Sequence, residues 1–168
     1  MTTPAEFLAA VIPSAQSVCR QTGIPASVML AQAIDESGWG RSQLATAGKN
    51  LFGIKADASW TGPVMVLPTI EYVGGKAVRV MAKWRVYKAW DGSILDHAKY
   101  FFDNERYKPA LEVVERPLQF AAEIQKCGYA TDPQYAEKLG TIIHGRNLQQ
   151  YDIPKSEWNL VEWAVYPS

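Results

Sequence analysis

The segment PASVMLAQAIDESGWG, residues 25–40, carries the strongest local information about the fold. Its apolar side chains recur at the three- and four-residue spacing of one helix face, at Ala26, Met29, Leu30, Ala33 and Ile34. Pro25 at a first helical position favours the start of this helix, and Gly38 and Gly40 favour its end. The sequence therefore predicts a helix here, preceded by another helix over residues 5–22.

A β-hairpin is predicted downstream, after an irregular stretch over residues 41–62. The runs VMVLPTIEYV (64–73) and KAVRVMAKWRVY (76–87) contain alternating β-branched residues and flank Gly74-Gly75. Two glycines between such runs are typical of a two-residue hairpin turn. We therefore expect an arm of two antiparallel strands.

The rest of the chain is predicted to be mostly helical, in segments at 93–102, 107–115, 117–126 and 132–145. Ser93 with Asp96 forms a capping-box-like start. Asp132 serves as an N-cap before Pro133 at the start of the last helix. The tail, residues 146–168, is expected to pack back on the body, in part as a short strand. The fold class that follows is α+β, a helical body with one hairpin arm.

Composition limits the classes of protein that are possible. The chain has 168 residues, of which 48% are hydrophobic and 20% charged, so we expect a single folded domain over residues 1–168. Seventeen Lys and Arg balance seventeen Asp and Glu, which leaves no basic excess to bind nucleic acid. No apolar run approaches the roughly 20 residues of a membrane span, and the first residues do not resemble a signal peptide.

Metal and disulfide chemistry has little support in the sequence. Cys19 and Cys127 are expected to be small buried apolar residues, and one optional disulfide between them stays open. Their spacing to His97 and His144 matches no zinc pattern. We expect neither a metal nor another cofactor.

Two adjacent acids lie near the end of the helix after Pro25. At 100° per residue, Glu36 falls on the flank of the apolar stripe, whereas Asp35 points nearly opposite, towards solvent. Lost hydration and the negative helix end both raise the pKa of the Glu36 carboxyl. A carboxylic acid protonated near neutral pH is what a glycosidic oxygen needs from a general acid. From periodicity alone, a Glu that caps its own helix end is an equal alternative.

A third acid, Glu71, lies on the first hairpin strand. The predicted register places it opposite Val78 and on the same face as Trp84, so it could point into a groove. A solvated acid beside Lys76 or Arg79 is the alternative. Around these acids the sequence contains six aromatic residues that are candidate platforms for sugar rings, although core packing is their commoner role: Trp39, Phe52, Trp60, Tyr72, Trp84 and Tyr87.

Six motifs occur in one order along the chain: ESGWGRS (36–42), NLFGIK (50–55), WTG (60–62), TIE (69–71), WRVY (84–87) and GYATDPQYAEKL (128–139). Together they resemble the glucosaminidases of glycoside hydrolase family 73, which include flagellar rod-cap peptidoglycan hydrolases and several autolysins. The resemblance covers about residues 5–143. It implies a lysozyme-like fold with a cleft between the helical body and the arm. It also implies cleavage of the β-1,4 bond after N-acetylglucosamine in peptidoglycan.

The resemblance assigns roles to single residues. Glu36 matches the catalytic acid of the family, Glu71 its second carboxylate and Tyr129 a tyrosine under the reacting sugar. Seven further residues in or near the motifs are predicted to contact substrate: Trp39, Asn50, Phe52, Trp60, Tyr72, Thr131 and Tyr135. His97 departs from the family, which usually has an aromatic residue after Asp96. Two mechanisms stay open, one in which Glu71 activates water and one in which the substrate's N-acetyl group attacks.

The biological setting is a further expectation. A wall hydrolase without a classical signal peptide fits a toxin injected by a type VI secretion system, or a phage endolysin. We expect a monomer that acts on glycan strands in the periplasm or cell wall, with a cognate immunity protein as its inhibitor. A lytic transglycosylase and a non-catalytic peptidoglycan-binding module are the alternatives in other classes.

Overall fold

A computed structural model describes residues 2–167, and within this range the side chains of residues 72 and 73 are not described. The described chain contains seven α-helices: α1 (Pro4–Thr22), α2 (Ala26–Ser37), α3 (Gln43–Ala47), α4 (Trp90–Asp103), α5 (Lys108–Leu111), α6 (Pro117–Lys126) and α7 (Tyr135–Gly145). Strands β1 (Val64–Val73) and β2 (Lys76–Arg85) form one antiparallel pair. Three 3-10 turns complete the order: Glu105–Tyr107, Leu148–Tyr151 and Lys155–Glu157. The α+β prediction is confirmed.

Helix α2 is the central element of the helical body. It contacts α1, α6, α7 and the 3-10 turn at Leu148–Tyr151, and ten of its twelve residues are buried. Gly38, with φ 57°, ends the helix in the left-handed conformation that glycine favours. Because neighbours surround α2, the predicted solvent-facing position of Asp35 is wrong. Its side chain is 26% exposed and lies 4.0 Å from Lys138 Nζ.

The hairpin has the predicted register, with Glu71 opposite Val78. Its turn residues Gly74 and Gly75 have φ values of 57° and 76°. Positive φ at both central positions is typical of a two-residue type I′ turn, which glycine adopts without steric cost. The stretch before the hairpin, predicted to be irregular, also contains the short helix α3.

Several predicted helix starts are wrong. Helix α4 begins at Trp90, and Ser93 is a buried residue whose Oγ accepts a hydrogen bond from the Leu51 backbone nitrogen at 3.0 Å. Helix α7 begins at Tyr135, because Asp132 instead forms a turn and accepts from the backbone nitrogen of Gln134. Of the helix predicted over 107–115, only α5 and turns are present.

The tail packs on the junction between α1 and α2, through turns and extended backbone rather than a strand. Asp152 accepts hydrogen bonds from the backbone nitrogen and the Oγ of Ser27, both at 2.7 Å, at the N-terminus of α2. The backbone nitrogen of Asn159 donates to the Arg20 carbonyl at the C-terminus of α1. The tail thus satisfies free backbone groups at two helix ends. The cysteines, Cys19 and Cys127, are both unpaired thiols.

Candidate active site

The cleft that contains Glu36 lies between the end of α2, the base of the hairpin and α4. It has a volume of about 410 Å³. Its described lining mixes aromatic rings with charged groups: Glu36, Phe52, Gly53, Ile54, Lys55, Asp57, Arg85, His97, Tyr100 and Tyr129. Of the residues predicted from the sequence, the structure brings Glu36, Tyr129 and Phe52 together here.

Glu36 is a largely buried carboxyl with two tyrosine hydroxyls as hydrogen-bond partners. The hydroxyl of Tyr129 donates to Glu36 Oε1 at 2.9 Å, and the hydroxyl of Tyr135 donates to the same oxygen at 3.2 Å. Burial raises the pKa of Glu36 from 4.5 to about 7, although the two hydrogen bonds act in the opposite direction. The charge of Asp35 raises it further. A pKa near 7 is suited to a general acid at neutral pH.

The hydroxyls around Glu36 remain protonated. Burial and the neighbouring carboxyl raise the pKa of Tyr129 well above its usual value of 10. The same causes, in the same order, raise the pKa of Tyr135. Both phenols are therefore hydrogen-bond donors to Glu36 and not anions at neutral pH.

Tyr135 is buried beneath the cleft rather than in its wall. Only 4% of it is exposed, and its hydroxyl also accepts a hydrogen bond from Gln32 Nε2 at 2.9 Å. Gln32 Oε1 in turn lies 3.0 Å from His97 Nε2. Because it is buried and its one proton is donated to Glu36, Tyr135 is placed to hold Glu36. The predicted direct contact with substrate does not fit this position.

His97 forms part of the cleft wall and stacks on Phe52, with ring centroids 3.8 Å apart and planes 8° apart. Burial lowers the pKa of His97 to about 3, so the ring is neutral at physiological pH. His97 is thus a planar ring that stacks as an aromatic residue does and can also form hydrogen bonds.

Asn50 is buried and holds the segment before the hairpin. Its Nδ2 donates to the carbonyls of Ile54 and Arg85, both at 2.9 Å, and its Oδ1 accepts from the Ile54 backbone nitrogen at 3.0 Å. With these three bonds the side chain fixes loop geometry, and the prediction that it contacts substrate does not fit.

Glu71 is not among the described residues that line the cleft. Its Oε1 lies 2.5 Å from Lys55 Nζ, and both side chains are about half exposed. Lys55 does line the cleft, and its ammonium group also lies 5.6 Å from the centroid of the Trp84 ring. The ion pair therefore links the hairpin arm to the edge of the cleft.

Arg85 is the centre of a second polar cluster, on the cleft wall. It donates two hydrogen bonds to Asp96 and one to Asp57. Its guanidinium group stacks over the ring of Trp60 at 4.8 Å, and Gly62 packs closely against the same ring. Trp60 is not among the described residues that line the cleft, and it lines a separate pocket together with Tyr87.

Two other predicted substrate contacts lie elsewhere. Trp39 packs edge-on against Phe7 and lies under the guanidinium group of Arg146, beside a separate pocket of about 420 Å³. Thr131 is exposed in the turn before α7. The side chain of Tyr72 lies outside the described residues.

Sequence reasoning missed Gln32 as part of the site. Gln32 lies four residues before Glu36, on the same face of α2, so helical spacing was a signal that could have found it. The roles of Lys55 and Arg85 depend on contacts across more than ten residues, which spacing does not reveal.

The described residues contain neither a cluster of metal ligands nor a membrane-spanning helix. No three His, Cys, Asp or Glu side chains between residues 2 and 167 are grouped as a metal site. No helix in that range is long and apolar enough to cross a membrane.

A helical body, a hairpin arm and a carboxyl of raised pKa in a cleft at the base of the arm are features of a lysozyme-like α+β glycoside hydrolase. The family model described as glucosaminidase, mannosyl-glycoprotein endo-beta-N-acetylglucosaminidase, matches residues 12–148. The chain belongs to this family.

Relatives and solved structures agree with this assignment. The chain is 41% identical over 150 residues to the peptidoglycan hydrolase FlgJ of Pseudomonas aeruginosa, an alignment that covers 87% of this chain and 37% of FlgJ. The catalytic domain of the autolysin Auto from Listeria monocytogenes superposes with a TM-score of 0.80 at 33% identity, and 90% of each chain is covered. A type VI secretion effector–immunity complex from Pseudomonas protegens shares the fold, with a TM-score of 0.58 at 20% identity over 88% of this chain and 94% of that chain.

Proposed function

We propose that the chain hydrolyses the β-1,4 bond after N-acetylglucosamine in peptidoglycan glycan strands, with Glu36 as the general acid. The observation that carries this proposal is the Glu36 carboxyl, whose pKa is raised to about 7 where it lines the cleft. The peptidoglycan substrate is supported by the relative FlgJ, which is named a peptidoglycan hydrolase. The chain spans less than half of that relative, so the substrate is part of the proposal.

In the proposed mechanism, Glu36 gives its proton to the glycosidic oxygen as the bond to the anomeric carbon breaks. The bonding electrons go to that oxygen, and positive charge develops on the sugar ring. Tyr129, which lines the cleft beside Glu36, is the proposed neighbour of the reacting sugar. Phe52 and the exposed Thr131 are proposed to contact the strand, as are Trp60 and Tyr72.

Two alternatives complete the reaction. In one, Glu71 acts as the base that activates water, which requires its ion pair with Lys55 to open. In the other, the N-acetyl group of the substrate attacks and water then opens the intermediate. The first gives inversion at the anomeric carbon and the second gives retention.

The proposed setting is the bacterial cell wall, where the chain acts as an antibacterial toxin of a type VI secretion system. The fold that it shares with a chain of a type VI secretion effector–immunity complex is compatible with this role. In this setting residues 1–168 are the catalytic domain, and a cognate immunity protein covers the cleft. A neighbouring holin gene would instead favour a phage endolysin.

The test is digestion of purified peptidoglycan sacculi, followed by borohydride reduction and mass spectrometry of the fragments. We expect reduced N-acetylglucosamine ends from the native chain and none from Glu36→Gln, which keeps the side-chain volume. Reduced muramic acid ends would contradict the assigned bond, and anhydro ends would indicate a lytic transglycosylase. Binding without products would indicate a non-catalytic module.

A further inference from the structure

Gln32, His97 and Tyr135 form a buried chain of hydrogen bonds that ends at Glu36. The successive distances are 3.0 Å from His97 Nε2 to Gln32 Oε1, 2.9 Å from Gln32 Nε2 to the Tyr135 hydroxyl, and 3.2 Å from that hydroxyl to Glu36 Oε1. None of the first three residues is more than 4% exposed. Buried polar groups cannot replace a partner with water. Each group therefore determines whether its neighbour donates or accepts.

The hydrogens in this chain of hydrogen bonds can be placed in only one way once the Gln32 amide is oriented. An amide oxygen only accepts, so His97 Nε2 must carry a proton and donate it. An amide nitrogen only donates, so the Tyr135 oxygen accepts from Gln32. The single proton of Tyr135 is then left for Glu36 Oε1. Every donor in the chain therefore points towards the acid.

If the Gln32 amide were flipped, its hydrogen bonds to Tyr135 and His97 would run in the opposite direction. The Gln32 oxygen would then accept the proton of Tyr135, and its nitrogen would donate to an unprotonated His97 Nε2. Tyr135 could bond Glu36 only as an acceptor, so the acid's proton would lie on Oε1. That oxygen is the one held by Tyr129 and Tyr135, and a proton there would point away from substrate.

We propose that Gln32 and His97 are positioning residues, which keep Tyr135 a donor to Glu36 Oε1 and so place the catalytic proton on Oε2. This inference rests on the proposed role of Glu36 as general acid. When Oε2 gives its proton to the glycosidic oxygen, the negative charge on the carboxylate is stabilised by the two tyrosine hydrogen bonds that Oε1 already accepts.

Other charged and titratable groups also influence Glu36. Asp35 is next to it on α2, and the remaining groups come from the loop after α6, from α7, from α4 and from the cleft wall: Tyr129, Tyr135, His97, Tyr100, Lys55, Asp57 and Arg85. A substitution that tests the hydrogen-bonded chain must leave all of these charges in place. Tyr135→Phe and His97→Phe satisfy this condition, whereas Gln32→Glu adds a carboxyl whose charge also acts on Glu36.

Gln32→Glu breaks the hydrogen-bond chain at its centre, because a carboxylate accepts from both neighbours and draws the proton of Tyr135 away from Glu36. We expect kcat on a soluble glycan fragment to fall about tenfold or more with little change in KM. We also expect the alkaline limb of the kcat/KM profile to move to higher pH by about one unit or more, because Glu36 loses a donor to its charged form and gains a like charge nearby. Tyr135→Phe adds no charge and therefore isolates the effect of the lost donor. Tyr135→Phe should move the limb in the same direction.

The matched control is Tyr107→Phe, since Tyr107 is fully buried and its hydroxyl has no hydrogen-bond partner among the described residues. Tyr107→Phe should leave the alkaline limb of the kcat/KM profile at the same pH. If Tyr135→Phe and Tyr107→Phe lose activity alike with the limb unmoved, Tyr135 has only a packing role and the proposal is wrong. This comparison holds even where Gln32→Glu fails to fold.

A second measurement needs no catalysis. Nitrogen-15 NMR of histidine-labelled protein reports which ring nitrogen of His97 carries the proton, with the exposed His144 as an internal reference. We expect the Nε2–H tautomer in the native chain. The Nδ1–H tautomer would overturn the inference, whether or not the chain degrades peptidoglycan. Absence of products with the Nε2–H tautomer would instead count against the proposed function alone.

Discussion

The hydroxyl of Tyr129 lies 2.9 Å from Oε1 of Glu36 and donates a hydrogen bond to it across 93 residues of sequence. The bond stabilises the charged carboxylate, while burial favours the neutral acid, and the balance puts the pKa near 7. The acid can therefore give a proton at neutral pH and still leave a stabilised anion. This balance leads to predictions that separate activity from stability.

The first prediction concerns the pH dependence of activity. Because Glu36 must be protonated to act as an acid, kcat/KM of the native chain should fall as pH rises through about 7. Tyr129→Phe removes a donor to the carboxylate, so the alkaline limb should move to higher pH while kcat decreases. Rates on a soluble glycan fragment between pH 5 and 9 measure both effects. A native limb near the usual carboxyl pKa of 4.5 would argue against the assignment of the acid.

The second prediction concerns stability. The folded chain holds a proton on Glu36 between pH 4.5 and about 7 that the unfolded chain releases, so this group's contribution to stability is lost as pH rises through that window. Glu36→Gln removes the titration. The variant should unfold at the same temperature as the native chain at pH 5, and be more stable by about 1–3 kcal/mol at pH 8.

Calorimetry of both proteins at several pH values measures this difference. Glu112→Gln, an exposed acid far from the cleft, is the control and should show no such pH-dependent gain. A constant difference between Glu36→Gln and the native chain at all pH values would show that Glu36 has an ordinary pKa.

The third prediction concerns the tail. Asp152 accepts two hydrogen bonds from Ser27 at the N-terminus of α2, so Asp152→Ala should lower the free energy of unfolding by about 1–2 kcal/mol. Burial raises the pKa of Asp152, which means that its charge costs stability at neutral pH. Asp152→Asn should therefore cost less than Asp152→Ala. Denaturant unfolding measures both, with the exposed Glu157→Ala as the control.

The sequence predicted the features that are set locally. Glycines with positive φ end α2 and form the hairpin turn, so these boundaries follow from a few residues. The predicted starts of α4 and α7 were wrong. Ser93 and Asp132 were expected to cap these helices, but each forms its hydrogen bond with another part of the chain. The buried environment of Glu36 was indicated by helical periodicity. The residues behind it were not predicted: helical spacing could have found Gln32, whereas the contact between Gln32 and His97 joins residues 65 positions apart.

The fourth prediction concerns Glu71, whose carboxylate is held by Lys55 at the edge of the cleft. Since Glu71 is not among the described cleft-lining residues, Glu71→Gln should reduce kcat less than Glu36→Gln does.

The stereochemistry of the first product then decides the role of Glu71. An inverted anomer, seen by NMR early in the reaction, together with a loss of about a hundredfold or more in Glu71→Gln, would identify Glu71 as the base that activates water. A retained anomer with a loss of about tenfold or less would assign the attack to the substrate's N-acetyl group, and would leave Glu71 the role of holding the arm through Lys55.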